Sequence, residues 1–117
     1  MSYLFGYRIC NTYIPIFFCR YGYGRRGHCA VTLHNGKVLI LGDYHHKNTR
    51  NVLIFDPSNN TFTTGPSLLF DRKWSGCALF NSALHAGRPV VLAAGGKLEG
   101  TAEVYDYTNA DTWEQSK

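Results

Sequence analysis

A chain of 117 residues, 44% hydrophobic and 15% aromatic, has room for at most one domain and carries enough apolar material for a packed core, which excludes a disordered segment. The longest early apolar run, YIPIFF at 13–18, is interrupted by Pro15 and falls far short of the roughly 18 residues a membrane-spanning helix needs. The formal net charge of +4 is modest, and Arg8, Arg20, Arg25, Arg26 and Lys37 are scattered rather than gathered on one face, so nucleic-acid binding is not expected.

Residues 1–24 carry no glycine doublet and no aromatic–Asp pair, and the opening MSYLFGYRICNTY lacks an apolar segment followed by a small-residue cleavage site. No secretory signal is expected, the cytoplasm is the default location, and membrane association is not indicated. This stretch is read as a leader, or at most as the last strand, YIPIFFC, of a preceding unit.

Two short apolar runs follow at 28–33 and 37–41, joined by His34-Asn35-Gly36, and Asn-Gly between such runs is the strongest short-range hairpin signal. Beyond the loop 43–50 a third strand is expected at 51–56. Pro57-Ser58-Asn59-Asn60 then turns the chain into a fourth at 61–64, which Gly65-Pro66 stops. No stretch here shows the helical period.

The pattern recurs after about 50 residues. Cys29-Ala30-Val31 is echoed by Cys77-Ala78-Leu79, VLILGD by VLAAGG, NVLIFD by TAEVYD, and Thr61-Phe62 by Thr112-Trp113. The spacing drifts because the segment NSALHAGRP at 81–89 is longer than His34-Asn35-Gly36, while the loop 97–100 is shorter than its counterpart. Four strands per unit at this period are the signature of a propeller blade array.

The second unit carries an apolar tetrad ending in Gly95-Gly96, then Tyr105-Asp106, then Trp113; the first carries Gly42-Asp43, Phe55-Asp56 and Phe62 at the same places. In these marks the chain resembles the kelch-repeat β-propellers over about residues 25–117, departing from their pattern at Asp43 and Phe62. The resemblance implies an all-β fold: a partial kelch-type β-propeller of two four-stranded antiparallel blades, at 25–70 and 71–117, plus an N-terminal strand or leader. The glycines are expected to take positive φ where the strand ends, Asp43 making the same bend at some cost. The aromatics are expected to fill the wedge between neighbouring sheets.

Candidate chemistry is sparse. His45 and His46 are adjacent, so on extended chain they point to opposite sides and would not share an ion, and no metal or cofactor is expected. Cys29 and His28 fail as a catalytic pair on the same geometry, and there is no GxSxG, P-loop or HExxH. The four cysteines, Cys10, Cys19, Cys29 and Cys77, form no CxxC pair and no dense framework, and are read as buried thiols. No enzymatic activity is expected of these residues.

The resemblance implies that partners are held by the turn entering each blade's first strand and by the loop after its glycine doublet. In this chain those positions are Arg25, Arg26 and His28 with Tyr44, His45, His46, Lys47 and Arg50, and then Arg72, Lys73, Trp74 and Ser75 with Lys97, Leu98 and Glu99. Arg, Lys, His and aromatic side chains together suit an acidic protein segment. By analogy with the family, the protein would be an interaction module, as in the substrate-recognition part of a cullin-type ubiquitin ligase adaptor. The alternatives are an actin-associated scaffold or a fragment of a propeller-borne enzyme of the kelch-like oxidase type. Because each blade packs against two neighbours, two alone are expected to leave apolar faces open and to self-associate, as a piece of a larger propeller would.

Overall fold

The computed structural model describes residues 28–42, 50–96 and 100–116. Eight strands run β1 (Cys29–Thr32), β2 (Val38–Leu41), β3 (Val52–Asp56), β4 (Thr61–Thr64), β5 (Gly76–Ser82), β6 (Arg88–Ala94), β7 (Ala102–Tyr105) and β8 (Glu114–Gln115). They form two four-stranded sheets, ordered β1-β2-β3-β4 and β5-β6-β7-β8, with every neighbour antiparallel. The expected all-β, two-blade architecture is what the described chain adopts. No helix among the described residues is long and apolar enough to cross a membrane.

The hairpins follow from their turn residues. At His34-Asn35-Gly36 the amide of Leu33 donates to the carbonyl of Lys37, and Gly36 takes a φ of 86°. The longer segment between β5 and β6 coils into a single 3-10 turn, Ala83–His85, and leaves it through Ala86 and Gly87, both at positive φ. The aspartates of the two aromatic–Asp pairs close the β3–β4 and β7–β8 connections. Asp56 accepts from the amide and hydroxyl of Ser58, at 3.0 and 2.6 Å, and Asp106 accepts from the hydroxyl of Thr108 at 3.1 Å.

Because side chains alternate across a strand, each sheet has two faces, and register decides which residues share one. Leu41 and Ala94, the residues before the first glycines, pair with Cys29 and Gly76 respectively. Their β3 and β7 partners are Val52 and Ala102. Leu53 therefore corresponds to Glu103, Phe55 to Tyr105 and Phe62 to Trp113. One core lies between the sheets: Cys29, Val31, Leu39, Leu41 and Val52 meet Cys77, Leu79, Val91, Ala93, Tyr105 and Trp113. A second gathers Ala30, Val38, Ile40, Leu53, Phe55 and Phe62 on the other face of the first sheet.

Both sheets thus carry an aromatic pair on the corresponding face, Phe55–Phe62 at 4.7 Å and Tyr105–Trp113 at 5.3 Å between ring centroids. In the second sheet that face is pressed against the first. Tyr105 and Trp113 thus fill the wedge between the two sheets as expected, whereas Phe55 and Phe62 lie on the face turned away from the second sheet; each pair contributes roughly 0.5–1.5 kcal/mol beyond its buried area. Trp113, 3% exposed, also donates its indole N–H to the carbonyl of Pro66 at 3.0 Å, tying the second sheet to the linker that leaves the first.

Two cysteines depart from the sequence reading. Cys29 and Cys77 are joined in a disulfide across the two sheets, not held as separate thiols. Their tripeptides look equivalent, but register pairs Cys77 with Ala93, which makes its counterpart Ala30 rather than Cys29. A one-residue offset reverses the face of a side chain. Strictly equivalent cysteines would point the same way along the stack; these point at each other, with their Cα atoms 6.1 Å apart, within the span a disulfide bridges. Cys10 and Cys19 lie outside the described residues, as does the strand expected at YIPIFFC.

Candidate functional site: the rim beside the glycine turns

The described candidate contact positions, His28, Arg50 and Arg72 to Ser75, belong to one end of the sheets, where β1 and β5 begin and β2 and β6 finish. The second sheet shows how this rim is built. Gly95 and Gly96 have φ of 68° and 115°. A Cβ placed on Gly96 would lie 2.9 Å from the backbone oxygen of Lys73, closer than real contacts allow. The second glycine is thus required by the chain entering β5, which crosses directly over it. In the first sheet Gly42 has a φ of 78°, and the bend expected of Asp43 lies outside the described residues.

Arg72 holds that crossing in place. It is fully buried, as is Glu103 on β7. The guanidinium contacts the Glu103 carboxylate through Nε at 3.0 Å and Nη2 at 2.9 Å. It donates further to the carbonyls of Gly95 and Thr101, each at 2.9 Å, and to the Thr101 hydroxyl at 3.2 Å. The Glu103 carboxylate also accepts from the amides of Leu69 and Phe70, at 2.7 and 3.3 Å. Charges removed from water persist only when paired and hydrogen-bonded, and here one pair fastens the linker, the glycine turn and β7 together. The corresponding residue of the first sheet is Leu53, so this anchor is not repeated there.

Among the sequence-predicted contact residues, Arg72 therefore has its guanidinium turned inward. His28 is 2% exposed, and the hydroxyl of Ser75 is enclosed. Trp74, 48% exposed at a φ of 60°, stands on the rim beside the partly exposed Lys73. Arg50, also exposed, reaches Asp71 at 3.7 Å, which brings rim residues of the two sheets together. Arg25, Arg26, Tyr44, His45, His46, Lys47, Lys97, Leu98 and Glu99 lie outside the described residues.

A polar cluster that the sequence reading missed sits at the opposite end of the second sheet. His85 bonds Ser82 through Nδ1 at 2.9 Å and Glu114 through Nε2. Arg88 donates to Asp106 at 3.0 and 2.7 Å. Its guanidinium holds the Asp106 carboxyl below the usual carboxylate range, while Asp106 raises the pKa of Arg88. The serine–histidine–glutamate chain has the serine buried and the glutamate side chain 61% exposed, the reverse of what an accessible nucleophile oriented by a sequestered acid requires. It ties the β5–β6 connection to β8. No group of three or more His, Cys, Asp or Glu among the described residues could hold a metal ion.

The fold defines a pair of consecutive four-stranded blades stacked face to face, with a rim of turns at one end. Residues 25–69, which include the first sheet, match the family model of the Kelch motif, and the match supports the kelch-repeat family for the chain. Kelch motifs are in general protein-interaction modules and typically non-catalytic. No curated protein matches the chain.

Proposed function

We propose that the protein is a non-catalytic interaction module whose rim takes an acidic segment of a partner protein, in the manner of a substrate-recognition domain of a cullin-type ubiquitin ligase adaptor. The observation that carries this reading is the exposed Trp74 beside Lys73, raised on a turn that the Arg72–Glu103 pair and Gly96 make rigid. An aromatic anchor on an ordered support loses little entropy on binding, and basic neighbours favour carboxylates. By the family resemblance, Arg25, Arg26, Tyr44, His45, His46, Lys47 and Lys97, which lie outside the described residues, would add further contacts.

The second face of the β5–β8 sheet supports self-association. It carries Phe80, 43% exposed, next to the exposed Ala78 and the partly exposed Leu92 and Ala94. The corresponding face of the first sheet is buried by the second. A cytoplasmic setting would bring the Cys29–Cys77 pair into contact with a reducing thiol pool.

Fluorescence anisotropy with labelled peptides, acidic and scrambled-basic, tests the rim. Trp74→Ala is expected to weaken acidic-peptide binding by roughly tenfold or more, the range of an aromatic hot spot, and Lys73→Glu to weaken it further at low salt. Equal binding of acidic and basic peptides, or an unchanged affinity in Trp74→Ala, would remove the proposal.

A further inference from the structure

We propose that Cys29 and Cys77 form a reversible redox clasp between the two sheets, opened by a small thiol of the glutathione class attacking at Cys77. The bond joins β1 to β5, so its loop encloses one whole repeat. Its sulfurs reach each other only because the two residues stand one register position apart.

The two ends differ in access. Cys29 is sealed, at 0% exposure, whereas Cys77 is partly exposed. Exchange depends on which sulfur an incoming thiolate can reach. The thiolate attacks Sγ of Cys77, the Cys29–Cys77 bond breaks, and Cys29 leaves as a thiolate that takes a proton. A second thiol then attacks the mixed disulfide. It releases the oxidised small disulfide and leaves Cys77 as a thiol. Two small thiols are oxidised and one protein disulfide is reduced.

Opening the clasp leaves the other ties between the sheets in place. Trp113 still holds Pro66, the amide of His34 still donates to the Tyr107 hydroxyl at 3.3 Å, and the apolar core persists. The reduced chain is therefore expected to stay folded with a weaker join between its sheets. A bond whose loss unfolded the protein could not serve as a switch.

The test uses the full chain with Cys10→Ser and Cys19→Ser, so that only the pair titrates. Non-reducing peptide mapping after equilibration in glutathione buffers is expected to show a Cys29–Cys77 link giving way in a single two-electron transition. Far-UV circular dichroism should stay native-like throughout, and the melting temperature should fall on reduction. Single variants then read the order of attack: with Cys29→Ser, glutathione disulfide should modify Cys77 at least tenfold faster than it modifies Cys29 in the Cys77→Ser protein. Should a single variant not fold, brief reduction followed by limited alkylation of the intact pair reads the same order, Cys77 labelling first. Two persistent thiols in oxidising buffer, unfolding on reduction, or equal modification rates would each overturn the clasp.

Discussion

Removing the Glu103 carboxylate by Glu103→Leu is the sharpest perturbation of the architecture. The substitution leaves Arg72 charged and fully enclosed, and it strips the acceptor from the amides of Leu69 and Phe70. Leaving one partner of a buried ion pair uncompensated costs about 3–5 kcal/mol. Arg72→Met is expected to cost a similar amount, because it leaves the buried Glu103 carboxylate without its counter-charge and takes the guanidinium donor from the carbonyls of Gly95 and Thr101, of which Thr101 keeps the amide of Gly95. The double variant should be far less destabilised than the sum, since the corresponding site of the first sheet already accommodates Leu53, and replacing both charges by apolar groups is often close to neutral. Against a total stability on the order of 5–15 kcal/mol, each single change should lower the urea midpoint sharply, and the double change should restore much of it. Urea unfolding followed by circular dichroism, arranged as a double-mutant cycle, measures this. If the single effects add to within about 0.5 kcal/mol, or if Glu103→Leu alone costs under about 1 kcal/mol, the pair does not anchor the linker and the reasoning is wrong.

Further outcomes follow from the same geometry. Gly96→Ala should cost about 2 kcal/mol or more, because it forces an unfavourable φ and a clash with the backbone of Lys73, whereas Gly36→Ala, with open space around it, should meet only the conformational penalty; thermal melts of the two variants compare them directly. Trp113→Phe should lose about 1 kcal/mol for the hydrogen bond to Pro66, plus a packing defect, and Trp113→Ala about 3–5 kcal/mol, read from chemical denaturation. Asp106 and Asp56 are held below their ordinary value, chiefly by hydrogen bonds from Arg88 and Ser58 respectively. Their contribution is therefore present above the unfolded carboxylate value of about 3.9 and is lost as pH falls through the lower folded values. Asp106→Asn should flatten the acid limb of a stability-versus-pH curve, and an unchanged limb would contradict the assignment. Reducing the Cys29–Cys77 bond, which spans a separation of 48 residues, should cost up to about 4 kcal/mol by loop-closure entropy, seen as a drop in midpoint that the Cys29→Ala/Cys77→Ala variant no longer shows.

Much of the architecture is legible because local signals agree with the global arrangement. His34-Asn35-Gly36 forces a hairpin, Pro57-Ser58-Asn59-Asn60 another connection, and the repeated glycine, aromatic–Asp and Phe62/Trp113 marks set the period. Strand bounds differ from expectation by a residue or two only at ends such as His28, Leu33 and Lys37. The disulfide is hidden because sequence similarity aligns Cys29 with Cys77, whereas strand pairing sets them one position apart, and that single step decides which face each sulfur occupies. Arg72 resembles a surface residue because Lys73 and Trp74 follow it. The signal that could have placed it is Glu103, a carboxylate in a strand position where the earlier repeat has Leu53, which demands a buried cation. The Ser82–His85–Glu114 link is not visible locally because it depends on how the long β5–β6 connection folds back over β8.

The alternation of faces also gives the stack a sense of direction. In both sheets the ring pair lies on the corresponding face, and the seam between them sets the ring-bearing face of the second against the aliphatic face of the first. Turning the first sheet over would set ring against ring, so neighbours are sorted by orientation before any individual side chain selects among them.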